Sequence, residues 1–122
     1  MPTIAVDVQA VASKGSATAG NNGNADILVL VTDIHTGAGV ANLTQANFNV
    51  VEHFGVVGQL CGFSGNITGF NNTGTGAYHI NVATHNVNPP PGGCKWTAGD
   101  HLGQVMVKSP QVEGQGAFVL RI

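Results

Sequence analysis

The sequence predicts an all-β domain in which two mostly antiparallel sheets, about seven to nine short strands in all, pack face to face. Three observations predict it. Apolar residues recur at every second position in several segments, and clusters of Gly, Asn, Ser and Pro return about every ten residues. No segment carries a convincing helical period.

Residues 3–12 place Ile4, Val6, Val8 and Ala10 on one side and Thr3, Asp7 and Gln9 on the other. A period of two marks a half-buried strand. Residues 13–24, SKGSATAGNNGN, read as a flexible connector. Residues 1–24 therefore read as a strand plus connector: either an ordinary first strand of its own sandwich or one that leaves its fold and adds to a neighbour's sheet edge. Residues 25–32 contain five consecutive apolar side chains, Ile27 to Val31, which predicts a strand covered on both faces. Gly37 and Gly39 mark a turn, and residues 43–46 allow one helical turn. Residues 48–54 and 57–63 predict strands, closed by a turn at 64–66. Residues 71–76 predict another turn, and 78–82 alternate Tyr78, Ile80 and Val82 with His79 and Asn81. The NPPPGG run at 88–93 cannot enter a sheet interior, because proline has no amide donor. Residues 96–108 and 116–122 end the chain as strands.

Residues 1–122 make one domain, since a chain of this size buries roughly two-thirds of its unfolded surface in a single core. Only 8% of residues are charged, with Lys14, Lys95, Lys108 and Arg121 against six acids and a net charge of −2. So few cations exclude a nucleic-acid footprint and docking on anionic lipid. No apolar run approaches the 18 or so residues of a membrane span, so no membrane insertion is expected. The start, MPTI, lacks the basic and apolar regions of a signal peptide. The amide-rich, charge-poor composition suits an extracellular, cell-surface or virion-surface protein whose leader has been removed.

Three segments carry a family resemblance. Within residues 27–48 the run VLVTDIHTGAGVANLTQANF gives a strand, an Asp, a glycine-containing turn and an aromatic strand start. Residues 76–82 read Gly-x-Tyr-x-apolar-x-Val, and WTAGDH at 96–101 precedes Val105-Met106-Val107, with Gly116 leading the last strand. In this order the segments resemble the bacterial immunoglobulin-like domains of invasin-type adhesins. The resemblance implies an immunoglobulin-like sandwich, extracellular display, modular stacking, and contact with other macromolecules or glycans. It transfers no functional residue.

Cys61 and Cys94 are the only cysteines. In a small extracellular β domain they suggest one disulfide worth about 3–4 kcal/mol, the alternative being two buried thiols. The five histidines, His35, His53, His79, His85 and His101, have no zinc-like spacing, and solvent-facing positions are their default. Asn22, Asn24 and Asp26 alternate as in a calcium loop, but Ile27 stands at the glycine position and Asp33 where a glutamate is usual. No metal or cofactor is expected. No nucleophile elbow is present, and Glu52 and Glu113 are the only glutamates, so the chain reads as non-enzymatic.

Tyr78 opens a strand after Gly76, as the structural tyrosine of a strand corner does. Trp96 either packs inside or lies exposed beside the proline loop, where an aromatic face suits a sugar or peptide. The candidate binding residues are accordingly Trp96, His85, Asn86 and Asn88, with Asn66 and Asn71 from the preceding loop. The expected function is a noncatalytic interaction or assembly module with a protein partner, or a homo-oligomer formed by strand addition. The alternatives are a glycan-binding module and, behind it, a metal-dependent enzyme using clustered histidines.

Overall fold

The computed structural model describes residues 4–54, 62–84 and 95–122. These form an all-β fold of seven strands: β1 (Ile4–Ser13), β2 (Ala25–Asp33), β3 (Phe48–Phe54), β4 (Ile67–Gly74), β5 (Ala77–Val82), β6 (Asp100–Lys108) and β7 (Val112–Arg121). They hydrogen-bond in the order β3-β6-β7-β1-β2-β5-β4 as one curled, mixed sheet. Among the described residues, no helix is long and apolar enough to cross a membrane.

The period-two pattern decides which side faces in. Val6 and Val8 of β1, Ile27, Val29 and Val31 of β2, and Tyr78, Ile80 and Val82 of β5 are buried in one cluster. Phe48 and Val50 of β3, Val105 and Val107 of β6, and Phe118 and Leu120 of β7 complete it. The two ends of the strand order meet across this core. Phe48 of β3 and Phe70 of β4 stand 5.2 Å apart between ring centroids, and Tyr78 of β5 is 5.1 Å from Phe48.

The sheet can curl because β1 serves two neighbours. It runs antiparallel to β2 from Val6↔Asp33 to Ser13↔Asp26, and parallel to β7 at Ile4↔Val112 and Ala5↔Glu113. Beyond that pairing the two backbones stay in close approach. A Cβ added at Gly114 would run into the Val6 carbonyl oxygen, and one at Gly116 into that of Val8. Only hydrogen fits there, which explains two alternate glycines on the inward side of a strand.

Elsewhere the chain departs from the sequence expectations. The expected pair of separate sheets is one continuous order, because β1 joins both halves. Residues 67–74, expected as loop and turn, are the edge strand β4. Its Asn and Gly residues are tolerated there because one edge needs no partner, and bulges at Ile67/Gly69 and Asn72/Gly74 interrupt the ladder. The helical turn is a 3₁₀ turn at Gln45–Asn47. Strand β6 begins at Asp100 rather than 96, and β7 begins at Val112 rather than 116. Of the strand expected at 57–63, residues 57–61 lie outside the described residues, and Phe63 belongs to a turn. That turn lies along the edge of β3 opposite β6. The Gly65 N–H donates to Val50 O at 2.7 Å, and the Glu52 N–H donates to Ser64 Oγ at 2.8 Å.

The segment expected as a flexible connector is laid against Trp96. The Trp96 N–H donates to Asn21 O at 2.8 Å, the Gly20 N–H donates to Trp96 O at 2.9 Å, and Ala17 is fully buried. Strand β1 pairs within its own fold.

The seam between β1 and β7 makes a sharp prediction. Gly116→Ala should cost about 1–3 kcal/mol by overpacking, read as a lower urea midpoint. An unchanged midpoint would mean that β1 does not lie against β7 as described.

Candidate functional site

Two regions compete for the functional role: the loop end of the fold and the outer faces of the sheet. The loop end gathers residues 14–24, 62–66 and 95–99, and its polar groups are consumed by the fold. Trp96 is 2% exposed, with its indole N–H donating to Gly23 O at 2.8 Å. Its ring packs against Phe63 at 5.8 Å and meets His101 edge-on at 5.4 Å. Of the two readings of Trp96, packing inside holds and the exposed stacking platform does not: the indole staples two loops to the core.

Beneath it His101 is fully buried, with Nδ1 2.8 Å from Glu52 Oε2 and Nε2 2.8 Å from Thr97 O. A carbonyl only accepts, so the Nε2 N–H donates to Thr97 O, and Nδ1 lies against the Glu52 carboxyl. Asn66 is likewise engaged, its amide donating to Ala83 O at 2.8 Å and Thr84 O at 3.2 Å. The binding role expected of Asn66 gives way to a loop-closing one. His85, Asn86 and Asn88 lie outside the described residues, as do Cys61 and Cys94 and hence the expected disulfide.

Tyr78 is buried and structural, but it makes no strand corner: its hydroxyl ties β5 to the distant 40–43 segment rather than to backbone just upstream. Its hydroxyl donates to Val40 O at 2.6 Å and accepts from the Leu43 N–H at 3.2 Å. Gly76, at φ +79°, makes the turn that brings β5 in, and a Cβ there would meet Gly39 Cα at 2.6 Å.

The outer face of β1, β2, β5 and β4 is different. Strand register places Val11 beside Leu28 and Gln9 beside Leu30, then Leu28 beside His79 and Leu30 beside Ala77. Val11, Leu28 and Leu30 are 69%, 56% and 43% exposed. They border a shallow groove of about 330 Å³, floored by the small Ala77 and closed by Gln9 and Thr73. The rim is polar and ordered. Asp26 Oδ1 accepts from His79 Nε2 at 2.8 Å and from Asn81 Nδ2 at 2.7 Å, and Asn71 pairs in register with His79. Among the described candidate residues, only Asn71 belongs to this face.

The calcium-like alternation at Asn22, Asn24 and Asp26 is absorbed by the same rim. Thr68 Oγ1 donates to Asn24 Oδ1 at 3.0 Å, and Asp26 holds the two donors just named. Among the described residues, no three His, Cys, Asp or Glu side chains gather as a metal would require. On the opposite flank, Arg121 Nε donates to Asp100 Oδ1 at 2.7 Å. That hydrogen bond holds the Asp100 carboxyl below its ordinary range and raises Arg121.

An apolar centre within a polar, charge-poor rim is the anatomy of a protein-binding patch, whereas isolated exposed aliphatics need no explanation. The sequence held one signal for it, the apolar run at residues 27–31, which predicts cover on both faces. The fold covers only one.

The two regions respond oppositely to substitution. Glu52→Ala leaves the buried imidazole without its charged partner and should cost about 3–5 kcal/mol in urea unfolding. Leu28→Lys should change stability by less than about 0.5 kcal/mol, while Val29→Lys, one residue on, should prevent folding. A large loss for Leu28→Lys would make that residue part of the core.

Compared with known proteins, the chain matches no family model, no curated protein and no solved structure.

Proposed function

We propose that this chain is a noncatalytic interaction and assembly module, displayed outside the cell or on a virion surface, that binds protein through the outer face of β1, β2 and β5. The observation that carries this reading is the register block of Val11, Leu28 and Leu30. A five-residue apolar run is bounded by core on one side and by solvent on the other. Burying an aliphatic side chain completely is worth about 1.5–3 kcal/mol, so a partner that supplies the missing cover gains what the fold leaves unused. The rim of Gln9, Asn71, His79 and Asn81 would set orientation through hydrogen bonds rather than charge.

The finer architecture we propose is an immunoglobulin-like sandwich. Divided at the seam between β7 and β1, the strand order separates into β3-β6-β7 and β1-β2-β5-β4, two layers on either side of one core. A glycan-binding role is less well supported, since it relied on an exposed Trp96.

The test is a paired retention experiment. Wild-type protein and Leu28→Lys, both folded by the criterion of their Trp96 emission, are immobilised and exposed to surface extract from the source organism. Proteins retained by the wild type should be lost with Leu28→Lys and kept with Lys95→Ala. Equal retention by Leu28→Lys would overturn the assignment of this face.

A further inference from the structure

The loop laid against Trp96 contains a chemically labile dipeptide. Asn22 is the one asparagine of the chain that precedes a glycine. In such a pair no side chain on the second residue hinders the approach of its backbone nitrogen to the asparagine Cγ. Packing imposes the glycine, because a Cβ on Gly23 would collide with Ser16 O. The loop therefore cannot exchange it for a residue that would shield the bond. Asn22 is exposed, and among the described residues its side chain has no hydrogen-bond partner. The neighbouring Asn21 amide is fully engaged. It accepts from the Thr18 and Gly23 N–H groups at 2.9 and 3.1 Å and donates to Ser16 O at 3.2 Å.

The carbonyls on either side of Asn22 hold the same tryptophan. Asn21 O accepts from the Trp96 backbone N–H at 2.8 Å, and Gly23 O accepts from the Trp96 indole N–H at 2.8 Å. The spacing between those two acceptors depends on the main chain of Asn22. Both donors belong to one residue packed against Phe63 and His101, so neither can follow a displaced acceptor far.

We infer that Asn22 is a self-modification site whose isoaspartyl product releases Trp96. The Gly23 nitrogen gives up its proton to solvent and bonds to Asn22 Cγ, and the side-chain nitrogen departs as ammonia, leaving a succinimide ring. Water then opens the ring. Attack at the side-chain carbonyl gives ordinary aspartate. Attack at the backbone carbonyl gives isoaspartate, in which the chain runs through Cβ and Cγ and is longer by a methylene. Nothing is oxidised or reduced, and water is the only co-reactant. The Gly23 N–H must first leave Asn21 Oδ1, a solvent-exposed hydrogen bond whose loss slows the step about two- to tenfold without preventing it. A methylene inserted between Asn21 O and Gly23 O breaks the paired grip on Trp96, whereas ordinary aspartate leaves the spacing intact. The loop end then loosens irreversibly as the chain ages.

The full chain, kept in warm, mildly alkaline buffer, tests this by two readouts. Peptide mapping separates isoaspartate from aspartate at residue 22, and tryptophan emission reports Trp96 alone, the only tryptophan. Isoaspartate should accumulate in the folded chain at a rate within about tenfold of that in urea. Emission should move to longer wavelength in proportion to it. Asn22→Gln should show neither change, and freshly prepared Asn22→Asp should emit like unmodified wild type. Asn22→Ser repeats the first control should Asn22→Gln fail to match the starting emission of wild type. A folded chain that stays unmodified while the urea-unfolded chain converts overturns the proposal. So does isoaspartate that accumulates under native emission, an equal shift in the control that lacks Asn22, or an Asn22→Asp chain already shifted at the start.

Discussion

The close approach of β1 to β7 is the constraint on which the rest of the structure depends. A strand that pairs antiparallel with one neighbour and parallel with another must sit where two parts of a sheet diverge. At Gly114 and Gly116 a side chain would collide with the carbonyls of Val6 and Val8. Because those positions are bare, the sheet turns over the core and Phe48 reaches Phe70 and Tyr78 from the far end of the strand order. The placement of the outer faces on opposite flanks follows from this curl. So does their exposure, since a sheet that closes over a single core has only one side to bury.

The loop end and the outer faces contribute differently to the stability of the fold. At the loop end, a fully buried imidazole, a carboxylate and a carbonyl satisfy one another beneath Trp96. Burial of a charged pair is tolerated only when its hydrogen bonds are complete, so this network has little freedom to serve a ligand. The outer faces have the opposite character. Their central side chains contribute little to the isolated fold, and they can therefore be chosen for contact.

Much of this was legible in the sequence where a single physical rule governs. Alternation placed β1, β5 and most of β6 correctly, and the tyrosine after Gly76 is structural as expected, though its hydroxyl reaches the 40–43 segment instead of closing a corner. Strand β4 was hidden because Asn71-Asn72-Thr73-Gly74 has turn chemistry, and only its position at an edge allows it to extend. The early start of β7 was hidden because Gly114 and Gly116 look like breakers until β1 lies against them. Trp96 could not be assigned from its neighbours, because its partners Gly23, Phe63 and His101 come from three separate parts of the chain. The outer face was encoded but misread. The run Ile27 to Val31 predicts two covered sides, but Leu28 and Leu30 are exposed, because aliphatic residues on the outer face erase the alternation that would have marked the strand as covered on one side only.

That last point bears on the strength of any contact the outer faces make. Leu28, Leu30 and Val11 are already partly shielded, so each gains roughly 1 kcal/mol on full burial, a fraction of the usual side-chain value. An association cost of about 4–15 kcal/mol stands against the sum from both faces. A single contact of this kind is weak in dilute solution. It becomes effective where the partners are held near one another, because tethering replaces the cost of bringing them together with a high effective concentration. Low charge then has a physical use: neighbouring chains at high density repel one another little, and the aliphatic centres decide whether they bind.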